Sequence, residues 1–499
     1  MRFHKLHILF LLLLPLNLFS QAFSPPLRLE IEVPTSEFPF HVVPFDKNGV
    51  ALLYETEVSE NKKVKWSIVL FDTNLQKIST TDLWLENDLT VEVINSDQNN
   101  LFLCFQKPTR RSTSYNTYFV HYFLPERKAK VYALNLKDRE EVIDLSVIGE
   151  TALYASVYNQ NEKVYTLNLK SLEAKPLYPE KDVMGIFQFF KTDTLDNAMW
   201  IASTYYTHKT NSTLLLTELN VEGNIIKNME VPFDENYRLN YFRMIQIDPH
   251  NQLLVGTYVN ANEYNAIKSE DNINTGVFSM IISNGIAEKA QYYNFLILST
   301  QVDRKKTTMT TKDASLNLQL VLDEIVRNDS LNVFIGEVIY PEYRQEYAAN
   351  YGMYGYTTAP TSVFAGYRYQ IAYVLSFTNK GELAWNTQLQ YNDVLVKSLR
   401  NILHAYLDVN NDVLLFYGVG SEIISIVLNG RTVVQSTESL PVEMLSPTDR
   451  IVTQYTTTLK HWYKNYFIYY GYQTVSGSKN NKKSTRRRNV LFINKMVYR

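Results

Sequence analysis

Apolar residues along this chain come in short runs of four to eight, each followed by a polar connection. Eight of them can be written in one register: VALLYETE, NLFLCFQK, TALYASVY, MWIASTYY, LLVGTYVN, VFIGEVIY, LLFYGVGS and FIYYGYQT. Most follow a turn cluster such as DKNG, SDQN, DPHN, RNDS or DVNN. A turn signal followed by a run rich in β-branched and aromatic residues predicts the start of a strand. Helical periodicity is nearly absent; only TDRIVTQYTTTLKHWYKN has room for a turn or two of helix. The class is all-β.

A column of small residues repeats within these runs. After three or four apolar positions come Cys104, Ala155, Ala202, Gly256, Gly336, Gly418 and Gly471; only the first run departs, with Tyr54. The spacings from Tyr54 are 50, 51, 47, 54, 80, 82 and 53 residues, a period near fifty with two lengthened units. Glycine inside a strand marks close approach of another backbone. Seven small residues at equivalent places therefore predict sheets converging around an axis. A β-propeller is such an array, and one of seven or eight blades is expected. Each unit also ends in a tight hairpin, as in LFDTNLQKI, LNVEGNIIK, FTNKGELAW and VLNGRTVVQ, where glycine or asparagine supplies the turn. The last unit lacks one strand. The N-terminal LRLEIEVP is expected to supply it and so close the ring.

The stretch 331–390 joins VFIGEVIY, a tyrosine-rich stretch and the hairpin YVLSFTNKGELAWN. In this it resembles uncharacterised exported propeller-like proteins of the Bacteroidota. The NKGELAW turn is similar to the blade turn of quinoprotein-type propellers. The resemblance covers about an eighth of the chain. It implies a propeller-like repeat and a Gram-negative envelope, and it carries no function across.

Residues 1–24 have the layout of a secretory signal peptide: Arg2 and Lys5, an apolar run from Ile8 to Leu18, then Ser20, Ala22 and Ser24. Residues 25–499 are read as one propeller domain. The apolar run is shorter than the ~20 residues a spanning helix needs. No cysteine near the cleavage region suits a lipoprotein, so a periplasmic or cell-surface location is expected. The formal net charge is -2; losing Arg2 and Lys5 leaves about -4, which argues against nucleic acid as a partner. The single cysteine, Cys104, excludes an internal disulfide and reads as one more small residue of the column.

Catalytic signatures are absent: no G-x-S-x-G elbow, no P-loop, no H-E-x-x-H. The aspartate box of sialidase-type propellers is also missing. His41, His121, His208, His250, His404 and His461 are scattered. DVNND at 408–412 opens like a calcium loop, but Val413 and Val419 stand where glycine and glutamate are needed, so it reads as a polar turn. No cofactor and no metal are expected. Asp323, Glu324 and Glu337 are carboxylates that a glycan hydrolase would bring together at a central channel; for Glu337, directly after the column, a solvated or hydrogen-bonded structural acid is the favoured reading.

The repeat says more about surfaces. Within each unit the connection after the small-residue strand varies in length, and equivalent connections must open on one face. The segment 341–368 is expected to be a long tyrosine-rich loop, with Tyr343, Tyr347, Tyr351, Tyr354, Tyr356 and Tyr367 as contact residues; an extended hairpin is the other reading. A basic loop at 475–488 carries Lys479, Lys482, Lys483, Arg486, Arg487 and Arg488. It is expected to join Lys107, Arg110 and Arg111 of unit two and Lys62, Lys63 and Lys65 of unit one in one basic patch. The function expected is a non-enzymatic binding or scaffold protein of the envelope, engaging a protein or glycan, anionic ones included, through this face. A propeller-type glycan hydrolase is the alternative. An outer-membrane barrel is disfavoured because runs such as TLLLTEL do not alternate.

Overall fold

The structure is a computed structural model. It describes residues 27–34, 39–107, 116–136, 140–158, 161–178, 184–193, 198–206, 212–231, 233–234, 236–248, 250–261, 273–300, 318–322, 325–352, 355–419, 421–442, 444–446, 448–478 and 485–497. The signal-type segment lies outside them. The strands form eight antiparallel sheets. Seven are built from strands within 40–86, 90–135, 141–178, 184–231, 237–294, 318–396 and 404–441, except that the two-residue strand Ile273–Asn274, which falls between strands of the fifth, pairs with Leu318–Leu322 in the sixth; these are blades 1 to 7. Blade 8 takes Arg450–Tyr463, Tyr466–Ser478 and Thr485–Val497 from the C-terminal end and Leu27–Val33 from the N-terminal end.

The ring is closed by pairing, as expected. Leu27–Val33 runs antiparallel to the last strand, from Leu27 opposite Lys495 to Val33 opposite Asn489. The core confirms the circle independently. Buried apolar residues fall into eight clusters, and each joins one blade to the next. For instance, Ala51, Leu53, Ile68 and Trp66 of blade 1 pack on Leu101, Leu103, Phe105 and Tyr122 of blade 2. The closing cluster sets Val42, Val50 and Leu52 of blade 1 against Trp462, Ile468 and Tyr470 of blade 8. There the Trp462 indole N–H also donates to the Gly49 carbonyl at 3.0 Å. Sheets with two buried faces explain why the second strands read as continuous apolar runs rather than alternating ones.

All eight column positions lie on the second strand of their blades, so they are equivalent. The cause of their smallness differs from the expectation of sheets meeting at an axis. In blades 2, 3, 4 and 8 the inner strand carries a bulge beside the residue paired with the column, at Val91/Val93, Val142/Asp144, Phe187/Phe189 and Gln454/Thr457. A bulge bends the strand and increases its twist, bringing its backbone over its neighbour. At Gly256 a Cβ would sit 2.1 Å from the Tyr241 carbonyl oxygen of the same blade's inner strand. At Gly418 the obstacle comes from the next blade, the Tyr469 ring at 2.5 Å. The crowding is therefore local, and different in kind from blade to blade.

The two long spacings also have separate origins. Between blades 5 and 6 lies the short helix Phe295–Thr300, which inserts Phe295 and Leu298 into the interface of those blades. Between blades 6 and 7 the extra length is the tyrosine-rich segment.

Candidate functional site

The tyrosine-rich segment is not a loop. Leu331–Gly352 and Gly355–Thr378 are strands of 22 and 24 residues, paired from Leu331 opposite Thr378 to Gly352 opposite Gly355. Tyrosine, threonine and valine favour the extended chain, so the run that looked like an adaptable loop propagates the blade's own hairpin. The inner strand of blade 6 stops pairing at Ile339 and its fourth strand at Tyr367. From Pro341 and Gly366 outward the two long strands pair only with each other, as a ribbon leaving the blade.

Aromatic side chains line one stretch of this ribbon. Tyr343 is 59% exposed and Phe364 43% exposed. They face each other across the strands in a T-shaped contact at 5.7 Å, and Phe364 meets Tyr367 at 5.1 Å. Arg368 donates to Glu342 beside them, which draws that carboxyl below its ordinary range through the hydrogen bond. Tyr347, Tyr351 and Tyr356 are in the paired strands, though their side chains are not described; Tyr354 lies outside the described residues.

The basic residues fare differently. Arg488 faces inward. It pairs with Glu30 of the closing strand at 2.8 Å and with Asp449 at 2.5 Å, both carboxylates almost wholly buried. Beside it Arg28 bonds Glu30 at 2.7 Å and Gln473 at 2.7 Å. Arg488 is thus part of the ring closure, not of a binding patch: once the N-terminal strand docks, its acids need a cation. Lys107 pairs with Glu86 at 3.1 Å and Lys65 with Asp82 at 3.5 Å. Lys62, Lys63 and Arg487 are exposed. Arg486 is in the strand without a described side chain, and Arg110, Arg111, Lys479, Lys482 and Lys483 lie outside the described residues.

Inner strands surround an axial space in two parts. One, about 1110 Å³, lies between blades 8, 1 and 2 and is lined by Phe40, His41, Glu55, Asp88, Lys460 and Tyr472 among others. The other, about 560 Å³, is lined by Asn95, Ser96, Asp144, Lys191, Arg243 and Ile325 among others. Ile94 and Ser96 border both. In the larger part burial, and then the charge of Asp88, raises the Glu55 carboxyl. Burial lowers His41 to about 4 and His404 to about 3, with Lys460 adding to both shifts. In the smaller part burial raises Asp144 to about 6, against amide hydrogen bonds and the pull of Arg243.

The remaining candidates are structural. Glu337 is fully buried and does not face the axis. It accepts the Ile402 N–H at 2.9 Å and the Tyr391 hydroxyl at 2.5 Å, tying blade 6 to the start of blade 7. Two further blades repeat this staple, which sequence reasoning missed: Gln106 accepts the Val142 N–H at 2.8 Å, and Glu162 accepts the Phe187 N–H at 2.5 Å. For Glu337 and Gln106 the signal was present as a polar residue one or two positions after the column; Glu162 stands on the third strand of its blade and shares no such position. Asp323 and Glu324 lie outside the described residues. Cys104 is buried, which pushes its thiol well up and makes it unreactive. Asp408 accepts the amides of Asn410 and Asp412, both at 2.8 Å, as a polar turn would. No group of metal-ligating side chains occurs among the described residues, and no helix there is long and apolar enough to cross a membrane.

No protein-family model and no curated protein matches the chain. Among solved structures it is similar to the β-propeller domain of the Trilobed protease from Pyrococcus furiosus, at 8% identity and TM-score 0.36, over 80% of this chain and 95% of that one. It is also similar to Porphyromonas gingivalis dipeptidyl peptidase 4, at 9% identity and TM-score 0.42, over 91% of this chain and 59% of that one. A third is polysaccharide lyase Uly1, at 8% identity and TM-score 0.40, over 94% and 99%. Such distant likenesses carry no argument about what this chain does.

Proposed function

We propose that this propeller is an exported binding or scaffold protein of a Gram-negative envelope, of the Bacteroidota type, which engages a protein or glycan through the blade-6 ribbon. The observation that carries the reading is the ribbon itself. A two-stranded hairpin is only marginally stable without a further layer, yet this one projects with Tyr343 and Phe364 turned to solvent. Rigid aromatic side chains bring contact area at low entropic cost. Export is supported by the apolar N-terminal segment with its preceding Arg2 and Lys5. The test is pull-down from native envelopes with the intact chain and with residues 341–366 replaced by a short turn. Partners retained only by the intact chain support the reading; identical partner sets with an intact fold refute it.

A second reading, a glycan hydrolase, is favoured by one observation: Glu55 and Asp88 line the same cavity, close enough for one charge to raise the other carboxyl. Two carboxyl groups facing one space are the pairing glycoside hydrolysis uses. Incubation with envelope glycans should then release reducing ends, and Glu55→Gln should stop it. Absence of release across the glycans tested removes this reading.

A further inference from the structure

The larger axial cavity has two chemically different sides. Glu55 and Asp88 stand on one and act on each other. Thr458 and Lys460 stand on the other, on the inner strand of blade 8, with His41 on the neighbouring inner strand of blade 1. Residues two apart on a strand point the same way, and Thr458 and Lys460 both line the cavity. Lys460 pairs with Ile468, before the column's Gly471, whereas Glu55 comes after Tyr54. The acids therefore sit at a different level of the channel. The charge of Lys460 is felt by His41 and His404 instead.

The donors on this side lack acceptors. Arg400, from the connection between blades 6 and 7, donates to the Thr458 hydroxyl at 3.0 Å and to the Thr457 carbonyl at 2.8 Å. A hydroxyl that accepts from a guanidinium still has its own proton to give. That of Thr458 meets no acceptor among the described residues. The Lys460 ammonium brings three more protons and has neither a hydrogen-bond nor an ion-pair partner there. His41, kept neutral by burial, adds one ring N–H. Behind them the Nε of Arg400 is buried without a partner, and no carboxylate among the described residues pairs with this guanidinium. The charge of Glu337 reaches it only as the smallest of several influences. Fixed charges that no acid offsets act strongly across a narrow, poorly solvated space.

We propose that Lys460, Thr458 and His41 form an oxyanion site, with Arg400 holding the threonine from behind. The ligand carries a carboxylate, sulfate or phosphate group, which accepts from the ammonium, the hydroxyl and the imidazole. Charge-assisted hydrogen bonds of this kind are the strong ones. Phe40, Tyr470 and Tyr472 line the same cavity, so a ring attached to the anion finds an apolar surface to pack on. The oxyanion is either free or the charged substituent of a glycan entering the channel. The site depends neither on a partner of the ribbon nor on hydrolysis, because binding is read without turnover.

The experiment is calorimetric titration of the purified chain at pH 7 and low salt with sulfate, inorganic phosphate, trigalacturonate and neutral maltotriose, with circular dichroism as a check of fold. At least one of the anions binds and maltotriose does not. Lys460→Met weakens binding at least tenfold, and Thr458→Val, which keeps the shape and loses the hydroxyl, weakens it severalfold. Tighter binding of trigalacturonate than of the inorganic ions assigns the oxyanion to a glycan, and the reverse to a free ion. Proton NMR gives a second readout: the bound anion offsets the charge of Lys460, so the His41 imidazole titrates at higher pH with the anion than without it. If Lys460→Met folds poorly, Thr458→Val and the His41 titration of the unaltered chain decide. No binding of any anion overturns the proposal. So does maltotriose binding as tightly as trigalacturonate, or anion binding that neither substitution weakens and that leaves the His41 titration unmoved.

Discussion

The hairpins of blades 6 and 8 start from the same place in the repeat, between second and third strands, and open on the same face. One carries a run of tyrosines and the other a run of arginines, and the sequence presents both as binding loops. They part because of what lies beside them. Blade 8 receives a fourth strand from the far end of the chain, and with it Glu30, so Arg488 turns inward to a pair of buried acids. Blade 6 runs out of neighbouring strands at Ile339 and Tyr367, and the aromatic residues beyond face solvent. A side chain's availability is set by the reach of the adjacent strand more than by its own chemistry.

The sharpest way to break this contrast is Arg488→Glu. It would place a third carboxylate against Glu30 and Asp449, and disrupting a buried ion pair costs about 3–5 kcal/mol. Chemical denaturation should show a loss of that order, and limited proteolysis should release the N-terminal strand first. An unchanged midpoint would return Arg488 to the surface patch.

Acidification tests the inner strands, where His41 and His404 stand. His41 and His404 have folded pKa values of about 4 and about 3, below the ordinary 6.5. The unfolded chain therefore binds more protons once pH falls through 6.5, and stability is lost from there down to about 4 for His41 and about 3 for His404. Asp144, raised to about 6, acts in the opposite sense. Between 6 and its ordinary 3.8 the folded state binds the extra proton, which offsets part of the loss. Melting curves from pH 7 to 4.5 should fall, and Asp144→Asn should make the fall steeper.

Replacing Tyr343 and Phe364 by serine should weaken envelope retention by about tenfold, roughly 1.4 kcal/mol. Exposed substitutions of this kind leave stability within about 0.5 kcal/mol. The smallest effect is expected for Arg487→Ala: stability unchanged within the same margin, and at most a slight loss of salt-sensitive retention. A large loss there would mean that the exposed basic residues bind after all.

How much was legible in the chain follows the range of the interactions. Turn clusters and apolar runs are local, so the blade order, the shared strand of the column and the closing role of LRLEIEVP could be read directly. The column's cause could not, because a bulge at Val142/Asp144 leaves no mark on Ala155 beyond its size. The composition of the tyrosine segment suits both a binding loop and a strand, so loop and extended hairpin both stay open in the sequence; pairing across Tyr343 and Phe364 decides for the hairpin. Arg488 and Glu337 were out of reach, since their partners come from other blades and, for Glu30, from the other end of the chain. The axial cations Lys191 and Arg243 carried no spacing that links them; only the ring brings blades 4 and 5 to one cavity.

The joining of Arg28 to Asn494 spans 466 residues. Such a contact waits for the strand that bears Asn494 to be made, and it forms late because bringing distant segments together is entropically slow. A product cut short anywhere before its last strand would keep an unsealed margin, ready to pair with whatever β-structure it meets. Translation through that strand is thereby written into the shape of the molecule, as a clasp that no shorter product can fasten.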